Sequence, residues 1–135
     1  MKEITLRTLT RSNVPNVNGV VYSEKAFNQM VEETKDRPIK LCLGMDYNNA
    51  NFVEMSTIFP NHVIGDVKDI RDGEIDVRIP KDKFKYIEEQ LNSEYLVPGM
   101  RYTGNVSEPD HNNIKEVTNM HLICYDLLRN PYKKK

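Results

Sequence analysis

The amino-acid sequence predicts an α+β fold with a mainly antiparallel, barrel-like sheet and two or more flanking helices. Segments with strand character outnumber helical ones, and they do not alternate with helices as a βαβ repeat requires. Asp72-Gly73 separates two alternating apolar runs, which is a strong β-hairpin signal. A length of 135 residues favours one domain over residues 1–135, ending in a short basic tail at 133–135.

The N-terminal third predicts a strand, a loop and a helix. Residues Ile4–Leu9 alternate as a half-buried strand does, and the Asn-, Pro- and Gly-rich residues 13–19 predict a loop. Ser23 is a suitable N-cap for a helix that continues to Lys35. The core-facing stripe of that helix is expected to consist of Ala26, Phe27, Met30 and Val31.

The middle of the chain predicts a strand, a long loop and the hairpin. Ile39–Leu43 forms a short apolar run, and the Asn-rich residues 44–61 are expected to loop over the surface. Residues 62–70 and 75–79 then predict the paired strands of the hairpin. Ile75, Val77 and Ile79 alternate with charged residues, as in a strand with one wet face.

The remainder predicts a second helix followed by three strands. Phe84, Ile87 and Leu91 mark one face of a helix over Asp82–Asn92, after Pro80 ends the preceding strand. Strands are predicted at Gly99–Val106, Ile114–Val117 and Met120–Leu128, the first of them bracketed by Pro98 and Pro109.

Composition excludes several classes of protein. Lys and Arg total 19 against 20 Asp and Glu, a balance that argues against a dedicated DNA-binding domain. No segment has the length of a membrane span or the pattern of a signal peptide, so we expect a cytosolic protein. Cys42 and Cys124 each lie within an apolar run, and buried free thiols are expected there in preference to a disulfide.

The candidate residues in the sequence do not by themselves identify an enzymatic reaction. His62, His111 and His121 lack the short spacings of a metal-binding pair, and no glycine-rich phosphate loop is present, so we expect no metal and no cofactor. A Ser/His system remains open because such sites are assembled from distant positions. The candidate serines are Ser56, Ser93 and Ser107, none in a G-x-S-x-G context.

Four segments, in order along the chain, carry a family resemblance: Asn16–Ser23 before a helix, Leu43–Tyr47, Gly99–Gly104 and Leu122–Pro131. They are similar to the N-x-N-G-R-x-Y-P, G-E-x-D-H, G-x-S-S-R-G and L-x-x-F-D-V-V-x-x-P segments of the prohead (capsid-maturation) serine proteases of tailed phages. That family shares its fold with the herpesvirus assemblins. The resemblance therefore implies a prohead-protease-like fold.

The same resemblance implies that catalysis has been lost. The family's general-base histidine corresponds to Tyr47, and its nucleophilic serine to Arg101 or Tyr102, while its aspartate before the closing proline is retained as Asp126. A tyrosine with a pKa of about 10 is a poor base at neutral pH, and arginine cannot attack a carbonyl. We expect no catalytic residues, and we expect Tyr47 and Arg101 to lie together in the former cleft.

The implied function is that of a non-catalytic structural virion protein: a capsid-associated, decoration or head-core component assembled in the host cytoplasm. Its expected partners are the phage major capsid protein or other head proteins, with a homo-oligomer in a symmetric assembly as one arrangement. No membrane partner is expected, and nucleic acid only through weak contacts of Lys133, Lys134 and Lys135.

Two alternatives remain open. The first is an active maturation protease with a rearranged site, using His62 or His121 with Ser56 or Ser107. The second is a host-directed phage effector that binds a cytosolic protein through its loops.

Overall fold

A computed structural model of the protein describes residues 1–8, 11–16, 19–43 and 51–132. The predicted basic tail, Lys133–Lys135, lies outside them. Within these ranges the chain forms eight strands and three helices, and no helix there is long and apolar enough to cross a membrane. In chain order the elements are β1 (Lys2–Arg7), β2 (Val20–Tyr22), α1 (Glu24–Thr34), β3 (Ile39–Leu43), α2 (Phe52–Met55), β4 (Val63–Arg71), β5 (Glu74–Ile79), α3 (Lys81–Asn92), β6 (Leu96–Thr103), β7 (Lys115–Val117) and β8 (His121–Arg129).

Six of the strands form one mixed sheet in the order β1-β5-β4-β3-β8-β6. Every neighbouring pair is antiparallel except β3 and β8, which run parallel, and a separate two-stranded sheet pairs β2 with β7, also in parallel. The α+β class is confirmed, whereas the antiparallel character holds for most of the pairs and not for all. Parallel pairing is available to β3 and β8 because the long chain between them allows a crossover.

The large sheet curls toward a half-barrel. Its edge strands, β1 and β6, come within 8 Å of each other between Cα atoms, and α3 packs against both of them. Helix α1 packs against β8. One hydrophobic core joins the helices to the strands, with its most deeply buried members at Met30, Leu41, Ile75, Val77, Ile79, Val117, Met120, Leu122 and Tyr125.

The two longer helices lie close to their predicted positions. The Ser23 hydroxyl caps α1 by accepting a hydrogen bond of 3.0 Å from the Ala26 amide. The buried face of α1 includes Thr34, whereas Val31 is only half-buried, so the predicted stripe is displaced at its C-terminal end. In α3 the buried residues are Phe84, Ile87 and Leu91, as predicted.

The predicted hairpin is present as β4 and β5, with Gly73 in the left-handed region of the turn. Ile75, Val77 and Ile79 are fully buried. On the outer face, Arg71 donates two hydrogen bonds to Asp76, of 2.7 and 2.9 Å, and holds the pKa of that carboxyl well below its ordinary value. The alternating pattern therefore correctly identified the solvent-exposed and the buried face of β5.

Strand β6 differs from its prediction because it begins at Leu96 and passes through Pro98. Proline lacks the amide that a central strand needs, but β6 is an edge strand, where proline is tolerated. Strand β6 also ends at Thr103, and Val106 instead forms an isolated bridge to Val117. The proline interrupts the sequence pattern without interrupting the strand.

Two further segments depart from their predictions. Val20–Tyr22 was not predicted as a strand, and it pairs with β7. Of the predicted loop at 44–61, residues 44–50 lie outside the described ranges, and the rest contains α2 and a 3-10 turn at Pro60–His62. The side-chain oxygen of Asn51 accepts a hydrogen bond from the Glu54 amide, which explains why an Asn-rich stretch begins a helical turn.

Candidate functional site

Strands β6 and β8 bring Arg101 and Asp126 together inside the protein. Arg101 lies opposite Cys124 in the antiparallel register, so Asp126, two residues further along β8, shares its face of the sheet. Arg101 donates from Nε to Oδ2 of Asp126 at 2.8 Å and from Nη2 to Oδ1 at 2.6 Å. The side chains are 1% and 0% exposed, respectively. The result is a bidentate ion pair wholly removed from water.

The remaining terminal nitrogen of the guanidinium reaches a different part of the chain. Nη1 of Arg101 donates a hydrogen bond of 2.7 Å to the carbonyl oxygen of Thr57, just after α2. The buried arginine therefore fastens the segment after α2 to the sheet. Nothing in the sequence near Thr57 signals this contact, because it uses a backbone carbonyl that any residue could supply.

Two cysteines also belong to this buried cluster. Cys42 on β3 lies directly opposite Asp126 in the parallel register, and the Sγ of Cys124 lies 3.8 Å from Oδ1 of Asp126. One oxygen of Asp126 and the two sulfur atoms all lie within 4.8 Å of one another. The sequence correctly predicted that both thiols are buried, but it held no signal that they meet.

The proximity of the two thiols has opposite effects on their pKa values. Together with the burial of Cys124, it raises the pKa of the Cys124 thiol well above its ordinary value. The same proximity lowers the pKa of Cys42. Two thiols and a carboxylate are a set of donors that could hold a soft metal ion. Arg101, however, donates hydrogen bonds to both oxygens of Asp126. The carboxylate therefore already has a cationic partner, the guanidinium group.

Tyr102, another position named by the resemblance, does not join the cluster. Tyr102 follows Arg101 across a β-bulge, and its ring meets Tyr22 edge-on with centroids 5.4 Å apart, packed against the hydrophobic core. Burial and the neighbouring Tyr102 raise the pKa of Tyr22. Tyr47 lies outside the described residues, and its expected proximity to Arg101 stays a prediction.

The histidines and serines of the rearranged-protease alternative contact other residues in the described part of the chain. Nδ1 of His121 lies 3.1 Å from a carboxylate oxygen of Glu33, on the surface. The Ser107 hydroxyl donates to the carbonyl of Glu108 and accepts from the Glu116 amide.

His62 packs edge-on against the ring of Phe59, and its Nδ1 is buried without a hydrogen-bond partner. Ser56, Ser93 and His111 are exposed. Between the described serines and histidines, no hydroxyl is hydrogen-bonded to an imidazole.

A solved phage protease has the same fold. The structure of the bacteriophage T4 capsid assembly protease matches with a TM-score of 0.70 over 96% of this chain and 82% of that one, at 14% sequence identity. No protein-family model matches the sequence, and no curated protein matches it. The prohead-protease-like fold predicted from the four sequence segments is therefore supported by an independent comparison of structures.

Proposed function

We propose that this protein is a non-catalytic structural component of a phage head, built on the fold of a capsid-assembly protease. The observation that carries the proposal is Arg101. With Tyr102, it stands where the resemblance expects the nucleophilic serine, and it is buried and paired through Nε and Nη2 with Asp126. The fold shared with the T4 capsid assembly protease supports the head-related role.

The chemistry of the cluster supports a scaffold in preference to an enzyme. A nucleophilic site needs a reactive hydroxyl or thiolate that a substrate can reach. Arginine is always protonated and cannot act as a nucleophile. The thiols of Cys42 and Cys124 lie beside it, but both are completely buried. A buried thiol in a structural position is inert toward a polypeptide substrate.

The proposed partners are the phage major capsid protein or other head proteins. The segment around α2 is a candidate contact surface, because Val53 there is 70% exposed while the nearby Thr57 carbonyl is fixed by Arg101. Loops held on a rigid scaffold are common binding elements. The formal charge of −1 also suits packing among proteins better than binding to DNA.

The loss of catalysis predicts that the purified protein leaves coat and scaffold proteins of its phage intact. Incubation followed by mass spectrometry of the mixture is expected to reveal no new peptide termini beyond those in a protein-free control. The matched variants are Ser107→Ala and Ser56→Ala, which remove the serines of the alternative protease site. Cleavage by the wild-type protein that either variant abolishes would overturn the proposal.

A further inference from the structure

The sulfur atoms of Cys42 and Cys124 lie side by side, although the two residues are far apart in the sequence. They project from neighbouring parallel strands on the same face of the sheet, and they lie within 4.8 Å of each other. The Sγ of Cys124 also lies 3.8 Å from Oδ1 of Asp126, the residue directly opposite Cys42 in the parallel register. Both side chains are fully buried. Each thiol therefore has one cysteine neighbour, and that neighbour is in the same chain.

We propose that Cys42 and Cys124 form a reversible intramolecular disulfide that links β3 to β8 across the centre of the sheet. The redox conditions considered for this reaction rest on the proposed function. Inside the host the reducing cytosol keeps the pair as thiols, and in a particle released from the cell the oxidising medium favours the disulfide. The bond would then reinforce the protein in the state in which the particle must survive.

The oxidant in the proposed reaction is hydrogen peroxide, a small uncharged molecule. The Cys42 thiolate attacks one oxygen of hydrogen peroxide, the O–O bond breaks, and the departing hydroxide leaves as water after taking a proton. Cys42 is then a sulfenic acid. Cys124 loses its proton and attacks the Cys42 sulfur, the S–O bond breaks, and a second water leaves as the disulfide forms. Two thiols lose two electrons, and the peroxide gains them.

The cluster favours this reaction over the competing ones. Arg101 donates to both oxygens of Asp126. Its positive charge therefore offsets the repulsion between that carboxylate and a cysteine thiolate. The neighbouring Cys124 lowers the pKa of Cys42, and a lower pKa favours the thiolate, which is the nucleophilic form of the group. Burial excludes a second protein chain, so the disulfide is expected within one chain and not between two.

The test is oxidation of the isolated full-length protein. After treatment with hydrogen peroxide we expect both thiols to become unreactive toward a maleimide in urea, and the intact mass to fall by two hydrogen atoms. The melting temperature should rise by about 10 °C, because the bond closes a long loop of the unfolded chain. A reducing agent should restore the original mass and melting temperature. In Cys42→Ala and Cys124→Ala, one thiol remains and no such rise is expected.

Three results would overturn the inference: persistence of both free thiols, gain of oxygen atoms without a disulfide, or disulfide-linked dimers. Oxidation of the urea-unfolded chain is a further control, since rapid pairing must depend on the fold. If the unfolded chain closes the disulfide as fast as the folded one, the proximity in the sheet is not its cause. Because the assay uses the isolated chain, its failure is separate from any failure of the proposed head role, which is judged on particles.

Discussion

Replacing Arg101 with methionine is expected to destabilise the protein by about 3–5 kcal/mol. The substitution leaves the Asp126 carboxylate buried without its bidentate partner, and it also releases the Thr57 carbonyl. An uncompensated charge in the interior costs far more than the loss of a surface ion pair. Urea unfolding followed by circular dichroism measures the change, and amide hydrogen exchange around Thr57 should accelerate in the variant.

The double variant Arg101→Met/Asp126→Leu is the matched control. It removes both charges and fills the space with apolar side chains, so its stability is expected to return to within about 2 kcal/mol of the wild-type value. A single Arg101→Met variant that unfolds at the wild-type urea concentration would contradict the buried ion pair. So would a double variant that is less stable than the single one.

Gly65→Ala is expected to destabilise the sheet by about 3 kcal/mol. Gly65 lies in β4, opposite Leu41, and a Cβ atom there would collide with the backbone carbonyl of Arg78 on β5. Because a backbone carbonyl in a central strand cannot move without distorting its ladder, the cost falls at the high end of overpacking effects. The melting temperature should fall by about 10 °C.

Gly99→Ala is the matched control for that substitution. Its Cβ atom would meet the end of the Leu128 side chain and no backbone atom, and β6 is an edge strand. Leu128 can change rotamer, so we expect Gly99→Ala to cost less than half as much as Gly65→Ala in a thermal melt. Equal losses in the two variants would contradict the close approach of β4 and β5 at Gly65.

Those features of the fold that depend on local sequence could be predicted. The cap at Ser23 and the apolar spacing of α3 specify helices through neighbouring residues alone. Asp72-Gly73 similarly specifies the hairpin through its turn conformation. Strand β2 was missed because Val20–Tyr22 is only three residues long, and its partner β7 lies far along the chain.

The buried cluster could be predicted only in part. The resemblance singled out Arg101 and Asp126 as positions of the former site, and the structure places them in contact. The two cysteines could not be added, because their meeting depends on the parallel pairing of β3 with β8, which no local pattern encodes. Tyr102 was grouped with Arg101 by adjacency. The β-bulge between the two residues sets Tyr102 opposite Leu122, and its ring packs against Tyr22.

Mass spectrometry of purified phage particles tests the proposed function most directly. The proposed function assigns this chain to a phage, whose particles are purified and washed at high salt, and the amount of the chain is measured relative to the major capsid protein. A head component is expected at a fixed, stoichiometric ratio that survives the wash. Absence of the chain from particles, while it is abundant in the infected cell, would contradict a structural role in the head.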